Sequence, residues 1–275
     1  MKNHTGFPDK YGPWALVAGA SEGLGEAFSI ELASHGLNVA LLARRVPPLE
    51  RLARDISERF RVETKIITAD MGGPGLSDLV EKSLAGIPIG SLVVNAAFAP
   101  VGGFFSAPLT EHERLLDVNC RGALRLLHLL VPPMLERKRG GVILMSSLAG
   151  FQGTACVAHY AASKAYLRVL AEGLWEELRE SGVDVMACCA GMTDTPTFRG
   201  SRPRISRGLA GRMALMKAGE VAKAALDNLG SGPIFVPGAV NQAAALLLGH
   251  VLPRSLAVRL ISRSTRRLYR EDSPR

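Results

Sequence analysis

Residues 14–25 read WALVAGASEGLG, an apolar run that passes directly into a glycine-rich loop. The apolar run predicts a buried β-strand, and the glycines predict a tight turn into a helix. Backbone N–H groups at such a turn, together with the helix N-terminus, can hold a pyrophosphate. Close packing of a helix on a strand also requires glycine, so the loop alone leaves both interpretations open.

Similar apolar runs alternate with helical patterns along the chain. The predicted strands cover residues 14–18, 38–43, 64–69, 92–95, 142–146, 183–189 and 234–236. Residues 111–137 and 158–180 predict two of the intervening helices, and Pro132 and Pro133 are expected to kink the first or end it early. The alternation predicts an α/β fold of the Rossmann type, in which a doubly wound, seven-stranded parallel sheet carries helices on both faces.

Length and composition favour one domain. The 275 residues are 47% hydrophobic, which suffices for a single large core. We expect the domain to span residues 1–275, with a core at 12–237 and a helical tail at 238–275. The first ten residues are polar, and the apolar run at 243–252 is shorter than the roughly 20 residues of a membrane span. These features predict a cytoplasmic protein.

The four cysteines form neither a CxxC pair nor a pattern with histidine ligands. The sequence therefore predicts reduced thiols and no metal site. The net charge of +8 is concentrated at 199–217 and 251–275, and the rest of the chain is slightly acidic. Because these basic segments lack interleaved aromatic residues, they do not indicate nucleic-acid binding.

Four further motifs follow the glycine loop in a fixed order. Asp70 follows the third strand, Asn119 lies in DVNCRG, and Ser147 precedes Tyr160 by thirteen residues in a chain that continues as YAASK to Lys164. With the loop spacing Gly-x3-Gly-x-Gly, this set resembles the short-chain dehydrogenase/reductase family over residues 12–237. The chain looks closest to the branch of 17β-hydroxysteroid dehydrogenases and long-chain 3-ketoacyl reductases.

The resemblance implies four catalytic residues. Tyr160 would exchange a proton with the substrate oxygen. Lys164, four residues later on the same helix face, would bind the nicotinamide ribose and lower the pKa of the phenol through its ammonium charge. Ser147 would orient the substrate oxygen, and Asn119 would hold a water that links Lys164 to solvent. A purely structural role is the alternative for Asn119.

The resemblance also implies a nicotinamide dinucleotide. Two positions depart from the family pattern: Ala97 follows Asn95-Ala96, and Ala190 precedes Gly191. Neither change removes a reactive group. The implied cofactor-binding residues are Gly19, Ser21, Glu22, Gly23, Leu24, Gly25, Arg44, Arg45, Asp70, Met71, Asn95, Ala96, Tyr160, Lys164, Gly191, Thr193 and Thr195.

The end of the second strand predicts the choice of cofactor. Members that prefer NAD carry an acidic residue there, which binds the ribose 2′-hydroxyl and repels a 2′-phosphate. This chain has Ala43, followed by Arg44, whose guanidinium suits a phosphate. We therefore expect NADP(H) to be preferred and NAD(H) to be accepted. Glu22 opposes this expectation, because some NADP(H)-binding relatives have a basic residue at its position.

Together these features predict an NADP(H)-dependent oxidoreductase that interconverts a ketone and a secondary alcohol. Its small-molecule substrate would be bulky and apolar or an acyl group, such as a steroid-like or 3-ketoacyl compound. The assembly expected is a homodimer or homotetramer. A catalytically silent, dinucleotide-binding sensor or scaffold is the alternative, and the presence of Tyr160 and Lys164 opposes it.

Two basic segments each allow two interpretations. Residues 196–217 would form a lid that attracts an anionic substrate or a lid that is merely solvated. Its basic residues are Arg199, Arg202, Arg204, Arg207, Arg212 and Lys217. The tail would be an amphipathic helix, with Ala257, Leu260, Ile261 and Leu268 opposite Arg259, Arg263, Arg266, Arg267 and Arg270. This helix would contact a membrane peripherally or, as we favour, pack on protein.

Overall fold

The computed structural model describes residues 6–200 and 215–269. Its strands are β1 Trp14–Ala18, β2 Asn38–Ala43, β3 Thr64–Thr68, β4 Ile89–Val94, β5 Gly140–Ser147, β6 Val183–Ala190, β7 Thr193–Asp194, β8 Met216–Lys217 and β9 Ile234–Phe235. Seven of these form a parallel sheet in the order β3-β2-β1-β4-β5-β6-β9. The predicted Rossmann-type sheet is confirmed. The separate pair β7–β8 had no signal in the sequence.

Helices cover both faces of the sheet. They are α1 Phe7–Tyr11, α2 Gly23–Ser34, α3 Val46–Phe60, α4 Leu76–Ser83, α5 Leu109–Leu116, α6 Gly122–Glu136, α7 Ala158–Glu177, α8 Pro196–Gly200, α9 Ala218–Asp227, α10 Ala239–Leu246 and α11 Arg254–Leu268. Buried residues of α4, α6 and α7 form the core on one face, and those of α2, α3 and α9 form the core on the other. Successive residues of β1 point into opposite cores, as the two-residue period of a strand requires.

The predicted helix at 111–137 differs from the observed one in two ways. A π-helical turn, Asp117–Arg121, interrupts it between α5 and α6. The expectation of an early end is wrong, because α6 continues through Pro132 and Pro133 to Glu136. Buried Leu130 and Met134 hold this last turn against the sheet, so packing outweighs the lost backbone hydrogen bonds.

The strand order places a crevice beside β1. The order of the strands reverses at β1, because β2 lies on one side of it and β4 lies on the other. The loops that follow the parallel strands meet at the carboxyl edge of the sheet, where ligands of such folds bind. Hydrogen bonds fix two of these loops there, since Asn95 N–H and Ala96 N–H both donate to the Ala18 carbonyl, at 3.0 and 2.8 Å.

The tail helix α11 packs on the chain's own body. Ala257 is fully buried. The Thr265 hydroxyl lies 2.8 Å from that of Thr154, the Ser262 hydroxyl accepts from Ala155 N–H at 3.1 Å, and Arg254 donates to the Phe151 carbonyl at 2.8 Å. These contacts agree with the interpretation in which the tail packs on protein.

One residue of the predicted apolar face of α11 does not lie on the packed face of the helix. Leu260 is 42% exposed, so it lies on the solvent side of the helix. The packed face instead uses hydroxyl groups that the apolar pattern does not count. Arg270 of the basic face lies outside the described residues, as do Arg202, Arg204, Arg207 and Arg212 of the predicted lid. In the described part of the chain, no helix combines the length and apolarity that a membrane crossing demands.

Candidate active site

Glycines allow the loop after β1 to approach its neighbours closely. Gly19 has φ +88°, and a Cβ there would lie 2.6 Å from the Ala96 nitrogen. A Cβ at Gly25 would lie 1.9 Å from the Gly19 carbonyl oxygen. The packing interpretation of the loop therefore holds at these two positions. The side chain of the N-cap residue Glu22 makes no capping hydrogen bond to α2, and the first helical residues Gly23 and Leu24 lie at the crevice.

The predicted site residues surround an elongated cavity of about 590 Å³. It runs from the arginines after β2 to Tyr160 on α7. Every predicted catalytic or cofactor-binding residue lines it except Gly25 and Asn119. The topology thus brings together side chains that are up to 174 positions apart in the sequence, from Ser21 to Thr195. Residues that sequence reasoning missed also line it, among them Arg114, Thr197, Leu268 and Tyr269.

Arginines dominate one end of the cavity. Arg45 donates to the Glu22 carboxylate at 2.5 Å and lies 3.4 Å from the Ser21 hydroxyl. Arg44 is exposed and makes no ion pair within residues 6–200 and 215–269. This end therefore carries a guanidinium whose hydrogen-bonding groups remain open to a phosphate.

Asp70 lies at the same end and is held by Arg114. Its carboxylate accepts from the Arg114 guanidinium at 2.5 Å and from Gly72 N–H at 3.0 Å. Burial favours the protonated acid, but these two hydrogen bonds hold the pKa of Asp70 below its usual value. The ionised group is thus fixed at the mouth of the cavity, and Arg114, on α5, carried no recognisable signal in the sequence.

Tyr160 and Lys164 face each other at the opposite end. The Lys164 ammonium lies 5.6 Å from the centre of the Tyr160 ring. The ammonium charge favours the phenolate, but the expected net lowering of the phenol's pKa is wrong. Burial raises the pKa of Tyr160 to about 12, although a hydrogen bond with Ser147 acts in the opposite direction. Loss of hydration therefore outweighs the favourable neighbours, and the phenol keeps its proton at neutral pH.

Lys164 is almost fully buried. Its ammonium donates to the Met145 carbonyl at 2.7 Å. Burial lowers the pKa of Lys164 to about 8, because the neighbouring Cys120 and Cys189 offset only part of the cost of removing its charge from water. Among the described residues this carbonyl is the one hydrogen-bond acceptor of the ammonium, and Lys164 lines the cavity, so further N–H donors are available to a bound group.

Asn119 lies behind the cavity, in the π-helical turn. Its side-chain amide donates to the Phe98 carbonyl and to the Ser163 hydroxyl, both at 3.0 Å, and its oxygen accepts from Phe98 N–H at 2.7 Å. Both amide hydrogens are used, so neither is available to a water near Lys164. The side chain joins the loop after β4 to α7, as the structural alternative requires, and the predicted role in holding a water stays a prediction.

The loop after β6 forms the remaining wall. The Thr193 hydroxyl donates to the Gly191 carbonyl at 3.1 Å, and the Thr195 hydroxyl accepts from Phe198 N–H at 3.2 Å. A Cβ at Gly191 would lie 2.6 Å from the Asn241 amide nitrogen, so this glycine permits close packing against α10. Met71 on the opposite wall is buried.

The tail completes the reacting end of the cavity. Leu268 and Tyr269 line it, and the phenol of Tyr269 lies near enough to help raise the pKa of Tyr160. A helical pattern at 254–268 can be recognised in the sequence, but the surface against which this helix packs cannot.

A smaller cavity of about 190 Å³ adjoins the first at Tyr160. His112 and His159 meet there through their Nδ1 atoms at 3.0 Å, and His112 Nε2 lies 2.9 Å from the Phe104 carbonyl. Burial, followed by the charge of His112, lowers the pKa of His159. These contacts tie the loop after β4 and α5 to α7. No cluster of potential metal ligands occurs among the residues that the structure describes.

The main cavity fits a nicotinamide dinucleotide. The N-terminus of α2 lies at its middle, and a buried lysine lies at one end. At the other end lies Arg44, an arginine without an ion pair in the described part of the chain. This fold and this site define an NAD(P)-dependent oxidoreductase.

The chain belongs to the short-chain dehydrogenase family, because the family model described as short chain dehydrogenase matches residues 13–205. It is therefore an enzyme that acts on CH–OH groups. A 7β-hydroxysteroid dehydrogenase from Clostridium sardiniense is 32% identical over 86% of this chain and 89% of its own. A very-long-chain 3-oxoacyl-CoA reductase from Anas platyrhynchos is 32% identical over 71% of this chain and 64% of its own.

A solved 7β-hydroxysteroid dehydrogenase structure has the same architecture. It is 29% identical, with a TM-score of 0.86, over 92% of this chain and 98% of that one. The predicted family is confirmed, and so is the resemblance to enzymes of the hydroxysteroid dehydrogenase and ketoacyl reductase type.

Proposed function

We propose that the protein is an NADP(H)-dependent reductase or dehydrogenase that interconverts a ketone and a secondary alcohol on a bulky apolar or acyl substrate. The observation that carries this proposal is the arrangement of the main cavity. Tyr160, Lys164 and Ser147 lie at one end, and Arg44, which has no ion pair among the described residues, lies at the other. The relatives named for hydroxysteroid and 3-oxoacyl-CoA chemistry support the same substrate class.

The residues at the reacting end divide the chemistry between them. A bound nicotinamide would supply or accept the hydride. Tyr160 donates its proton to the carbonyl oxygen during reduction and removes the hydroxyl proton during oxidation. Ser147 orients the same oxygen through a hydrogen bond. Lys164 holds the ribose and, through its charge, favours the phenolate that Tyr160 forms during reduction.

Apolar side chains surround the space beside Tyr160. Val101, Val157 and Leu148 come from the loops after β4 and β5, and Phe198 and Leu268 come from α8 and the tail. Such a wall favours an extended apolar substrate, because burial of its surface supplies the binding energy. A panel of steroid ketones, 3-ketoacyl thioesters and small ketones, assayed with NADPH and NADH, tests the proposal. Turnover of small polar ketones alone would contradict the proposed substrate class.

Arg44 is expected to supply most of a preference for NADPH. Its replacement in Arg44→Ala removes a charge-assisted contact with the 2′-phosphate, worth roughly 1.5 to 3 kcal/mol, so NADPH affinity should fall at least about tenfold. NADH affinity should barely change. Fluorescence titration with both cofactors measures this difference, and Arg51→Ala on the exposed side of α3 is the control. A wild-type protein that binds NADH as tightly as NADPH would contradict the preference.

Removal of residues 254–275 should destabilise the protein. The truncation removes three hydrogen bonds and buried Ala257, at about 1 kcal/mol per bond, so the melting temperature should fall by roughly 5 to 10 °C. Thermal unfolding measures the shift. The double variant Arg266→Ala/Arg267→Ala, which changes only exposed positions of α11, should melt like the wild type.

The same variants test the membrane interpretation of the tail. Sedimentation with anionic liposomes should leave both the intact and the truncated chain in solution. Capture of the intact chain alone, released by salt, would overturn the packed interpretation.

We also propose a cytoplasmic homodimer or homotetramer, and light scattering on the intact chain tests the assembly.

A further inference from the structure

Glu22 joins two elements on opposite sides of the cavity. One carboxylate oxygen accepts from Arg45, at the end of β2, at 2.5 Å. The other accepts from the Thr197 hydroxyl, in α8, at 2.8 Å. No hydrogen bond joins Arg45 to Thr197 in the described chain, so Glu22 bridges the phosphate end of the cavity and α8.

The carboxylate is charged where it makes these contacts. Partial burial favours its protonated form, but the hydrogen bonds from Thr197 and Arg45 hold the pKa of Glu22 below its ordinary value. Glu22 is therefore ionised at neutral pH, and its charge is balanced by that of Arg45. Arg44, next in the chain, leaves this end of the cavity with an excess positive charge.

The bond to Glu22 uses only one nitrogen of Arg45. That nitrogen also lies 3.4 Å from the Ser21 hydroxyl. Within residues 6–200 and 215–269, no side chain or carbonyl bonds to the other two nitrogens of the guanidinium. A planar guanidinium can bind a carboxylate along one edge and a phosphate along another. The contact thus orients Arg45 without occupying its remaining donors.

We propose that Glu22 is a positioning residue for cofactor selection, which holds Arg45 ready for a 2′-phosphate and anchors it to α8 through Thr197. This role rests on the proposed preference for NADP(H). It is opposite to the interpretation from the sequence, in which Glu22 counts against a preference for NADP(H). The two roles predict opposite changes in NADPH affinity when the carboxylate is removed.

Fluorescence titration of the full chain with NADPH and with NADH distinguishes them. Glu22→Ala should weaken NADPH binding by about three- to fivefold, the scale of an exposed ion pair, and change NADH binding less than twofold. Glu22→Gln retains an acceptor for Arg45 and a hydrogen-bonding partner for Thr197, so it should recover part of the loss. Tighter or unchanged NADPH binding by Glu22→Ala would overturn the proposal.

The control is Glu26→Ala, which removes an exposed carboxylate from the first turn of the same helix. An equal loss of NADPH affinity in this variant would show a general effect of charge near the helix N-terminus. That result would refute the specific role of Glu22. The wild-type ratio of NADPH to NADH affinity tests the proposed function separately. A protein that prefers NADPH but fails the Glu22 comparison refutes only the positioning role.

A double-mutant cycle tests the connection to α8. Thr197→Val should weaken NADPH binding less than Glu22→Ala does, and the double variant should bind NADPH no more weakly than Glu22→Ala alone. This result is expected because Thr197 acts on the cofactor only through the carboxylate. Additive losses in the double variant would contradict the anchoring of Arg45 to α8.

Discussion

Tyr160→Phe should abolish turnover while leaving NADPH affinity nearly unchanged. The substitution removes only the hydroxyl that transfers the proton, a contribution worth about 10² to 10⁴ in rate. Burial raises the pKa of the phenol to about 12, so it is protonated at pH 7, as a proton donor must be for reduction. Initial rates with NADPH and an active ketone, together with fluorescence titration of NADPH, measure the two effects.

The matched control for this variant is Tyr166→Phe. Tyr166 lies on the same helix and is 39% exposed, so loss of its hydroxyl should change neither rate nor affinity. Retention of more than about a hundredth of the wild-type rate by Tyr160→Phe would argue against this residue as the acid and base. That result would favour the alternative of a catalytically silent, dinucleotide-binding sensor or scaffold.

Lys164→Met should impair both cofactor binding and turnover. The variant keeps a long side chain but removes the donors that would hold the ribose and the charge that favours the phenolate. We expect NADPH affinity to fall at least about tenfold, the scale of a lost charged hydrogen bond. The rate at saturating NADPH should fall by about a hundredfold or more. Titration and steady-state kinetics separate the two losses.

Thermal unfolding distinguishes this loss from misfolding. At pH 7, below the lowered pKa of about 8, Lys164 keeps its charge in the folded state, which therefore bears the full cost of burying it. Methionine removes that cost together with one hydrogen bond to Met145, so the melting temperature should change little. Unchanged NADPH affinity in a folded variant would eliminate the role at the ribose.

The sequence determined the features that depend on neighbouring residues. Short apolar runs identified the strands, and the glycine loop identified the turn after β1. The spacing of Tyr160 and Lys164 placed both on one helix face, because residues four apart share a face of any α-helix. The sequence also showed that Ala43 stands where an acidic residue would indicate NAD. This could be recognised without a structure, because the end of the second strand has a known position in this fold.

Only the tertiary structure decided which distant groups meet. Nothing in the sequence joins Arg45 to Glu22, Arg114 to Asp70, or the tail to the cavity at Tyr269. These pairings depend on how loops of different lengths converge at one sheet edge. The pKa of Tyr160 was mispredicted for the same reason: a pKa depends on the hydration lost to every surrounding element, and local spacing records only the nearest charge.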